Sequence, residues 1–142
     1  MTNRIMSDNK NLVRVYATFI LRGKELDPRM VTERLGIIPS RSFKRGDRHG
    51  DNKKWPSGFW GLTSDGRILS ADLILHIEWL INQLEPVEQA LLELVNEQKF
   101  NAEISCFWIL PEDHGGLVLP SQLLERITDL GVNISLDIYC DR

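Results

Sequence analysis

Hydrophobic and polar residues alternate along residues 12–22, which read LVRVYATFILR. A period of two with β-branched and aromatic residues predicts a β-strand. The apolar side of this strand consists of Val13, Val15, Ala17, Phe19 and Leu21. Residues 132–140, VNISLDIYC, alternate in the same way and predict a last strand. The side chains expected to face the core there are Val132, Ile134, Leu136 and Ile138.

A longer period predicts the helices. Apolar residues recur at helical spacing through residues 71–98, where Pro86 is expected either to kink one helix or to start a second. The predicted buried face comprises Leu73, Leu75, Ile77, Leu80, Ile81 and Leu84. A shorter helix is predicted over residues 27–36, which open with a capping aspartate and a proline and end in glycine. A further helix is predicted over residues 120–130.

Further strands are predicted near residues 42–44, 59–63 and 102–110, which completes the order β-α-β-β-α(α)-β-α-β. We therefore predict an α+β fold: a two-layer α/β sandwich with a mostly antiparallel sheet and helices on one side. Its core is predicted to be the ferredoxin-like βαββαβ plan, extended by a further αβ unit. Residues 1–11 are expected to be a disordered leader, and residues 12–142 a single domain.

The bulk composition, 42% hydrophobic and 26% charged, is typical of a folded soluble protein. The N-terminus lacks the apolar core of a signal peptide, and acidic residues within residues 71–95 argue against a membrane span. The two cysteines, Cys106 and Cys140, do not suggest a disulfide framework. We therefore expect a cytoplasmic protein without a membrane partner.

Positive charge is concentrated in residues 41–60, RSFKRGDRHGDNKKWPSGFW, which hold 6 Lys/Arg against 2 Asp. We predict a binding surface here, with the candidate residues Arg41, Lys44, Arg45, Asp47, Arg48, His49, Lys53, Lys54, Trp55 and Trp60. Aromatic rings beside cations are typical of single-stranded nucleic-acid binding. The alternative is that Trp60 packs under the sheet while the rest is a solvated hairpin. We favour this alternative because only one short segment is basic.

The outer side of the predicted sheet is a second candidate surface. Its residues are Tyr16, Thr18, Ile20, Phe107, Asp137 and Tyr139, of which Tyr16, Phe107 and Tyr139 are the aromatic candidates for binding. Aromatic residues on an otherwise polar face suggest a protein partner or a second copy of the chain. The pattern leaves open whether this face stays uncovered or whether residues 41–60 fold over it.

Charge also divides between the two parts of the chain. Residues 1–54 hold 13 Lys/Arg and 6 Asp/Glu, a net of +7, whereas residues 55–142 hold 4 Lys/Arg and 14 Asp/Glu, a net of −10. Such a division indicates a basic ligand-binding face, or basic and acidic layers that neutralise each other within one fold or across a homodimer.

No catalytic or metal-binding pattern accompanies these surfaces. The histidines lack metal-ligand spacing and are expected to be surface or partly buried residues: His49, His76 and His114. Two acid pairs are interpreted as local features of loops: Asp47 with Asp51, and Glu112 with Asp113. Cys106 alternates with core aliphatic residues, so we interpret it as a small core residue. We predict no metal and no cofactor, and the sequence does not favour an enzyme.

The chain resembles the bacterial family known as domain of unknown function 4279, over roughly residues 12–140. The resemblance lies in LDPRMVTERLGI after the first strand, Arg45-Gly46-Asp47, WGL at residues 60–62, the long helix and the ending LGVNISLDIYC. It implies a small α/β domain and carries no established activity. The predicted function is therefore a non-catalytic protein-binding or dimerising module. The alternative is a nucleic-acid-binding domain that uses residues 41–60, and an enzyme of unknown class comes third.

Overall fold

The computed structural model of the chain describes residues 14–110 and 115–140. The predicted leader, residues 1–11, and the predicted turn with Glu112, Asp113 and His114 lie outside these residues. The described strands are β1 (Arg14–Gly23), β2 (Arg41–Phe43), β3 (Gly58–Thr63), β4 (Asn101–Leu110) and β5 (Asn133–Cys140). The helices are α1 (Pro28–Leu35), α2 (Leu73–Leu84), α3 (Glu88–Gln98) and α4 (Ser121–Asp129), with a 3₁₀ turn at Glu85–Val87 between α2 and α3.

The sheet has five strands in the order β2-β3-β1-β4-β5. The pairs β2/β3, β3/β1 and β1/β4 are antiparallel, and only β4/β5 is parallel. The first four strands therefore have the ferredoxin-like arrangement, and α4 with β5 forms the additional αβ unit. This confirms the predicted two-layer α/β sandwich. None of the described helices is long and apolar enough to cross a membrane.

The apolar side of β1 forms the centre of the core, because helices cover this side of the sheet. Val15, Ala17, Phe19 and Leu21 are all buried on it. The register of β4 places Ile104 and Cys106 opposite Phe19 and Ala17, so the two central strands present one continuous apolar surface to the helices. Alternation along β1 and β4 is therefore sufficient to identify their buried sides.

Short helix α1 begins and ends as its sequence predicts. The Asp27 carboxylate accepts the backbone N–H of Arg29 at 3.0 Å, and Pro28 occupies the first turn, where no donor is required. Gly36 has φ of 69° and donates its N–H to the Thr32 carbonyl. These signals limit α1 to eight residues, which bury Val31 and Leu35 against the sheet.

The buried face of α2 differs from the predicted one at two positions. Its buried residues are Leu73, His76, Ile77, Leu80, Ile81 and Leu84. Leu75 was predicted to be buried and is 46% exposed, while His76 was predicted to be at least partly exposed and is 1% exposed. Residues that share one face of a helix are three or four positions apart. Counted from Leu73, this spacing includes His76 and excludes Leu75, so both predictions were wrong.

Hydrogen bonds compensate for burying His76. The imidazole Nε2 lies 2.8 Å from the Ser70 carbonyl, which can only accept, so Nε2 carries a proton. In the neutral ring, Nδ1 then accepts the hydroxyl of Ser64 at 2.6 Å. The Ser64 Oγ also accepts the backbone N–H of Ala17 at 2.9 Å. This network joins β1, the end of β3 and α2, and it satisfies the two buried polar side chains of the described core.

The exposure of β5 contradicts its predicted inward face. Val132 is buried and Ile134 is half-buried, but Leu136 is 43% and Ile138 is 47% exposed. The parallel register places these two residues beside Cys106 and Trp108, on the helix side of the sheet. Because β5 is the outermost strand, only its first residues are covered by the helix layer.

Candidate binding site on the open sheet face

The side of the sheet opposite the helices carries every residue predicted for the outer face. Tyr16 faces Phe107 across β1 and β4, and Phe107 is the register partner of Asp137 on β5. Thr18 has partners on both sides and donates its hydroxyl to Thr63 at 3.0 Å. We call this surface the open face, because it is not covered by any helix among the described residues.

One aromatic cluster lies toward β5 and is formed by Tyr16, Phe107 and Tyr139. The rings of Tyr16 and Phe107 stack with centroids 4.9 Å apart, and those of Phe107 and Tyr139 lie 5.3 Å apart. The Arg14 guanidinium sits 5.5 Å from the centre of the Tyr16 ring. The Tyr139 hydroxyl donates to the Asp137 carboxylate at 3.2 Å, and this hydrogen bond raises the pKa of Tyr139.

A second aromatic cluster, the hairpin stack, lies toward β2 and consists of Phe59, Phe43, Trp55 and His49. Phe43 stacks on Phe59 at 5.1 Å and on Trp55 at 3.9 Å. His49 stacks on Trp55 at 3.8 Å. Two rings that lie parallel to the indole at such short distances must occupy opposite faces of it. Both faces of Trp55 are therefore covered.

Backbone hydrogen bonds hold residues 44–57, the loop that carries His49 and Trp55 of this stack. Trp55 donates its N–H to the Asp47 carbonyl at 2.9 Å, and Gly46 donates to the Trp55 carbonyl at 2.9 Å. The Asp47 carboxylate accepts the N–H of Lys44 at 2.9 Å. An isolated bridge joins Arg48 to Lys54 near the tip. The segment is thus a defined hairpin, and Asp47 stabilises its turn.

The absence of a side chain at Gly61 allows the Phe59 ring to pack flat against the sheet. A Cβ atom on Gly61 would sit 2.8 Å from Cε1 of Phe59, closer than such atoms approach in proteins. Beside this ring lie two guanidinium groups: Arg22 at 5.8 Å and Arg41 at 5.9 Å from the ring centre. Arg41 is also 5.4 Å from the Trp55 ring. The cations are therefore positioned by the aromatic stack.

A groove of about 450 Å³ separates the two aromatic clusters. Arg22, Arg41 and Phe59 line one end, and Tyr16, Phe107 and Asp137 line the other. The floor between them carries small hydroxyl and aliphatic side chains from the central strands: Thr18, Ile20, Ser40, Thr63 and Ser105. The groove thus offers ring faces, cations, hydroxyl groups and carboxylates side by side.

Charge from the two parts of the chain is neutralised only in part. Three ion pairs join the basic and acidic parts: Arg14–Asp65, Arg22–Glu103 and Arg34–Glu93. Arg45 of the hairpin pairs with Glu25, which lies between β1 and α1, whereas Arg48 donates to the backbone carbonyl of Asp51. No ion pair within residues 14–110 and 115–140 involves Arg41, Lys44, Lys53 or Lys54.

The predicted site residues fall into three places. Tyr16, Phe107 and Tyr139 meet on the open face, as their alternation predicts. The charged residues of 41–54, with His49 and Trp55, form the adjoining hairpin. Trp60 belongs to neither surface: its side chain is fully buried, and its Nε1–H donates to Thr32 at 3.0 Å. It therefore packs under the sheet, as the alternative interpretation of this segment stated.

Sequence reasoning missed three members of the site: Phe43, Phe59 and Arg22. Phe43 and Phe59 are register partners on β2 and β3, and Arg22 is the partner of Phe59 on β1. Alternation within each strand would have placed them on the outer side. The pairing between strands, which brings them together, depends on residues far apart in sequence and has no local signal.

Two potential nucleophiles of the described chain, Ser64 and Cys106, are buried and therefore inaccessible to a substrate. Ser64 and His76 are hydrogen-bonded to each other but are 0% and 1% exposed. Burial raises the pKa of the Cys106 thiol to about 12, so it stays protonated and unreactive at neutral pH. Among residues 14–110 and 115–140, no three His, Cys, Asp or Glu side chains are grouped so that they could hold a metal ion.

Comparison with known proteins yields one match. Residues 13–141 match the family described as Domain of unknown function (DUF4279). No curated protein and no solved structure matches the chain.

Proposed function

The chain belongs to the family Domain of unknown function (DUF4279), and we propose that it is a non-catalytic module that binds a protein partner through its open face and basic hairpin. The observation that carries this proposal is the uncovered groove between the two aromatic clusters. Exposed aromatic and arginine side chains are enriched at protein interfaces. The rings of the two aromatic clusters are already stacked on one another, so these side chains lose little conformational entropy when a partner binds.

The charge of the hairpin indicates the chemistry of the partner. Arg41, Lys44, Lys53 and Lys54 have no ion pair among the described residues, although the chain carries a net charge of −3. A partner with an acidic surface would complement these cations and would be attracted at long range. A second copy of this chain is one such partner, because its residues 55–142 are acidic.

The geometry favours a protein over single-stranded nucleic acid. Binding of unpaired bases requires aromatic faces on which they can stack. Trp60 is buried, and both faces of Trp55 are covered by His49 and Phe43. Residues 41–60 therefore supply cations but not the indole faces that the nucleic-acid interpretation needs.

We also propose a cytoplasmic, bacterial setting. The supporting observation for the compartment is a cysteine content that does not suggest a disulfide framework.

Comparative capture tests the proposed function. Immobilised chain is exposed to a bacterial lysate in three forms: unchanged, with Arg41→Glu and Phe107→Ser on the open face, and with Leu69→Lys as the control. Leu69 is 78% exposed and lies outside the groove. We expect a protein retained by the unchanged chain and by the control, and lost from the open-face variant.

An identical set of retained proteins from all three forms would contradict the proposal. In a parallel measurement, labelled single-stranded DNA and RNA are titrated with the chain at low salt. Binding that weakens steeply as salt rises would show that phosphates are the target and would favour the nucleic-acid alternative.

A further inference from the structure

The two edges of the sheet are built differently. β2 is three residues long and carries Arg41, whereas β5 is eight residues long and contains one charged residue, Asp137. Native edge strands are usually protected from pairing by shortness, lysine, proline or a bulge. β5 has none of these: its sequence is NISLDIYC, and its register with β4 runs without interruption from Asn133 to Cys140.

The side chains of β5 also remain exposed where a partner strand would cover them. Leu136 is 43%, Ile138 is 47% and Tyr139 is 50% exposed. Among residues 14–110 and 115–140, β5 pairs only with β4. Its outer edge therefore presents backbone donors and acceptors beside a row of aliphatic side chains.

We infer that β5 pairs with β5 of a second copy, antiparallel and centred on Leu136. The two-fold axis then runs perpendicular to the sheet, and the five-stranded sheet of each copy continues into that of the other. This inference goes beyond binding at the open face and does not depend on it, because β5 pairs through its edge.

The side-chain pattern of β5 selects the second copy as the occupant and favours a register centred on Leu136. In an antiparallel pair of two β5 strands, the apolar residues of both strands lie on the same side of the sheet only if the numbers of the paired residues differ by an even number. Centring on Leu136 places Leu136 opposite the partner's Leu136 and Ile134 opposite the partner's Ile138. The aliphatic residues of both strands then form one continuous apolar surface on the helix side.

Charge disfavours the register centred on Asp137. Centring on Asp137 would place two aspartates directly opposite each other, which destabilises a strand pair. Centring on Leu136 instead places Asp137 opposite the partner's uncharged Ser135, and Tyr139 opposite the partner's Asn133. β5 is therefore complementary to itself when the pairing is centred on Leu136.

The same arrangement separates the basic hairpins. β2 and β5 are the opposite edges of the sheet, so pairing through β5 places the two hairpins at the far ends of the joined sheet. With strands about 4.8 Å apart, that distance is on the order of 40 Å, well beyond the Debye length of about 8 Å at physiological salt. Both open faces point to the same side and remain available.

Measurement of mass in solution tests the inference. Sedimentation or light scattering is expected to show a dimer for the unchanged chain and for the control Leu69→Lys, and a monomer for Leu136→Lys and Ile138→Lys. Circular dichroism checks that each variant is folded. A monomer at every accessible concentration, or a dimer that survives Leu136→Lys, overturns the inference. A monomeric chain that still shows surface-specific capture would leave the proposed function standing.

Cysteine cross-linking tests the register in a Cys140→Ser background. Opposite positions on paired strands have Cβ atoms about 5 Å apart, so Leu136→Cys is expected to give a cross-linked dimer with a short thiol-specific reagent. Tyr139→Cys is the matched control, because its two copies would be about 20 Å apart in this register. Cross-linking at position 139 but not at 136 overturns the register.

Discussion

Removing one hydroxyl group from the core is expected to destabilise the whole domain. The substitution Ser64→Ala deletes an oxygen that accepts the Ala17 N–H at 2.9 Å and lies 2.6 Å from Nδ1 of His76. Ala17 and Ser64 are 0% exposed and His76 is 1% exposed, so water cannot replace the lost partner without opening the core.

The size of the effect follows from the number of groups left without a partner. A buried polar group that loses its hydrogen bond costs about 1–3 kcal/mol, and Ser64→Ala leaves two such groups, the Ala17 N–H and the His76 Nδ1. We therefore expect a loss of about 3 kcal/mol in the free energy of unfolding, which is a large part of the roughly 5–15 kcal/mol of a typical domain. For a chain of this length the melting temperature should fall by about 10 °C.

Urea denaturation of matched variants measures this loss. Ser42→Ala is the control, since Ser42 is exposed on β2, and its effect should stay within about 0.5 kcal/mol. The double variant Ser64→Ala/His76→Leu removes one of the unpaired groups, so it should be destabilised by about 1 kcal/mol less than the sum of the single variants. If Ser64→Ala is no more harmful than Ser42→Ala, the network does not stabilise the core as its geometry indicates.

Three further outcomes are expected. Trp55→Ala should remove two ring contacts and cost about 1–3 kcal/mol of local stability. The hairpin should then be cleaved faster by proteases, and an unchanged cleavage rate would argue that the stack does not stabilise it. The raised pKa of Cys106, about 12, keeps the folded thiol neutral after the unfolded thiol ionises near pH 8.5. Stability should therefore fall as pH rises from about 8.5 towards 12, by up to about 1.4 kcal/mol per pH unit. Cys106→Ala should lack this dependence, and an equal fall in that variant would contradict the assignment. The hydrogen bond from Arg126 lowers the pKa of Glu85, so Glu85→Gln should cost up to about 1 kcal/mol at neutral pH, because the pair is partly exposed. That difference should disappear in acid, where Glu85 is protonated in the unchanged chain, and a difference independent of pH would exclude the ion pair as its source.

The fold was predictable because its signals are local. Alternation along β1 identified Ala17 and Phe19 as core residues, and Asp27-Pro28 and Gly36 marked the two ends of α1. Each of these features depends on a few neighbouring residues and on backbone stereochemistry. The ferredoxin-like strand order then follows from the sequence of elements, since few topologies bury their apolar sides with short connections.

The site was predictable only in part. Alternation predicted that Tyr16, Phe107 and Tyr139 share the outer side of the sheet, and their rings lie together there. Phe43 and Phe59 were missed, because their stacking requires β2 and β3 to pair in one register. His76 was mispredicted. It is buried although it is polar, because its spacing from Leu73 and Leu80 places it on the buried side of α2, and hydrogen bonds to Ser64 and Ser70 replace those to water.

Local sequence patterns are enough to locate the strands and helices approximately and to say which side chains share a side. Which of those sides is covered depends on how the elements pack in three dimensions. β1 and β5 show the same alternation, yet Phe19 is fully buried and Ile138 is 47% exposed. The reason is that burial is a property of neighbours: β1 lies at the centre of the sheet beneath the helices, and β5 lies at its edge.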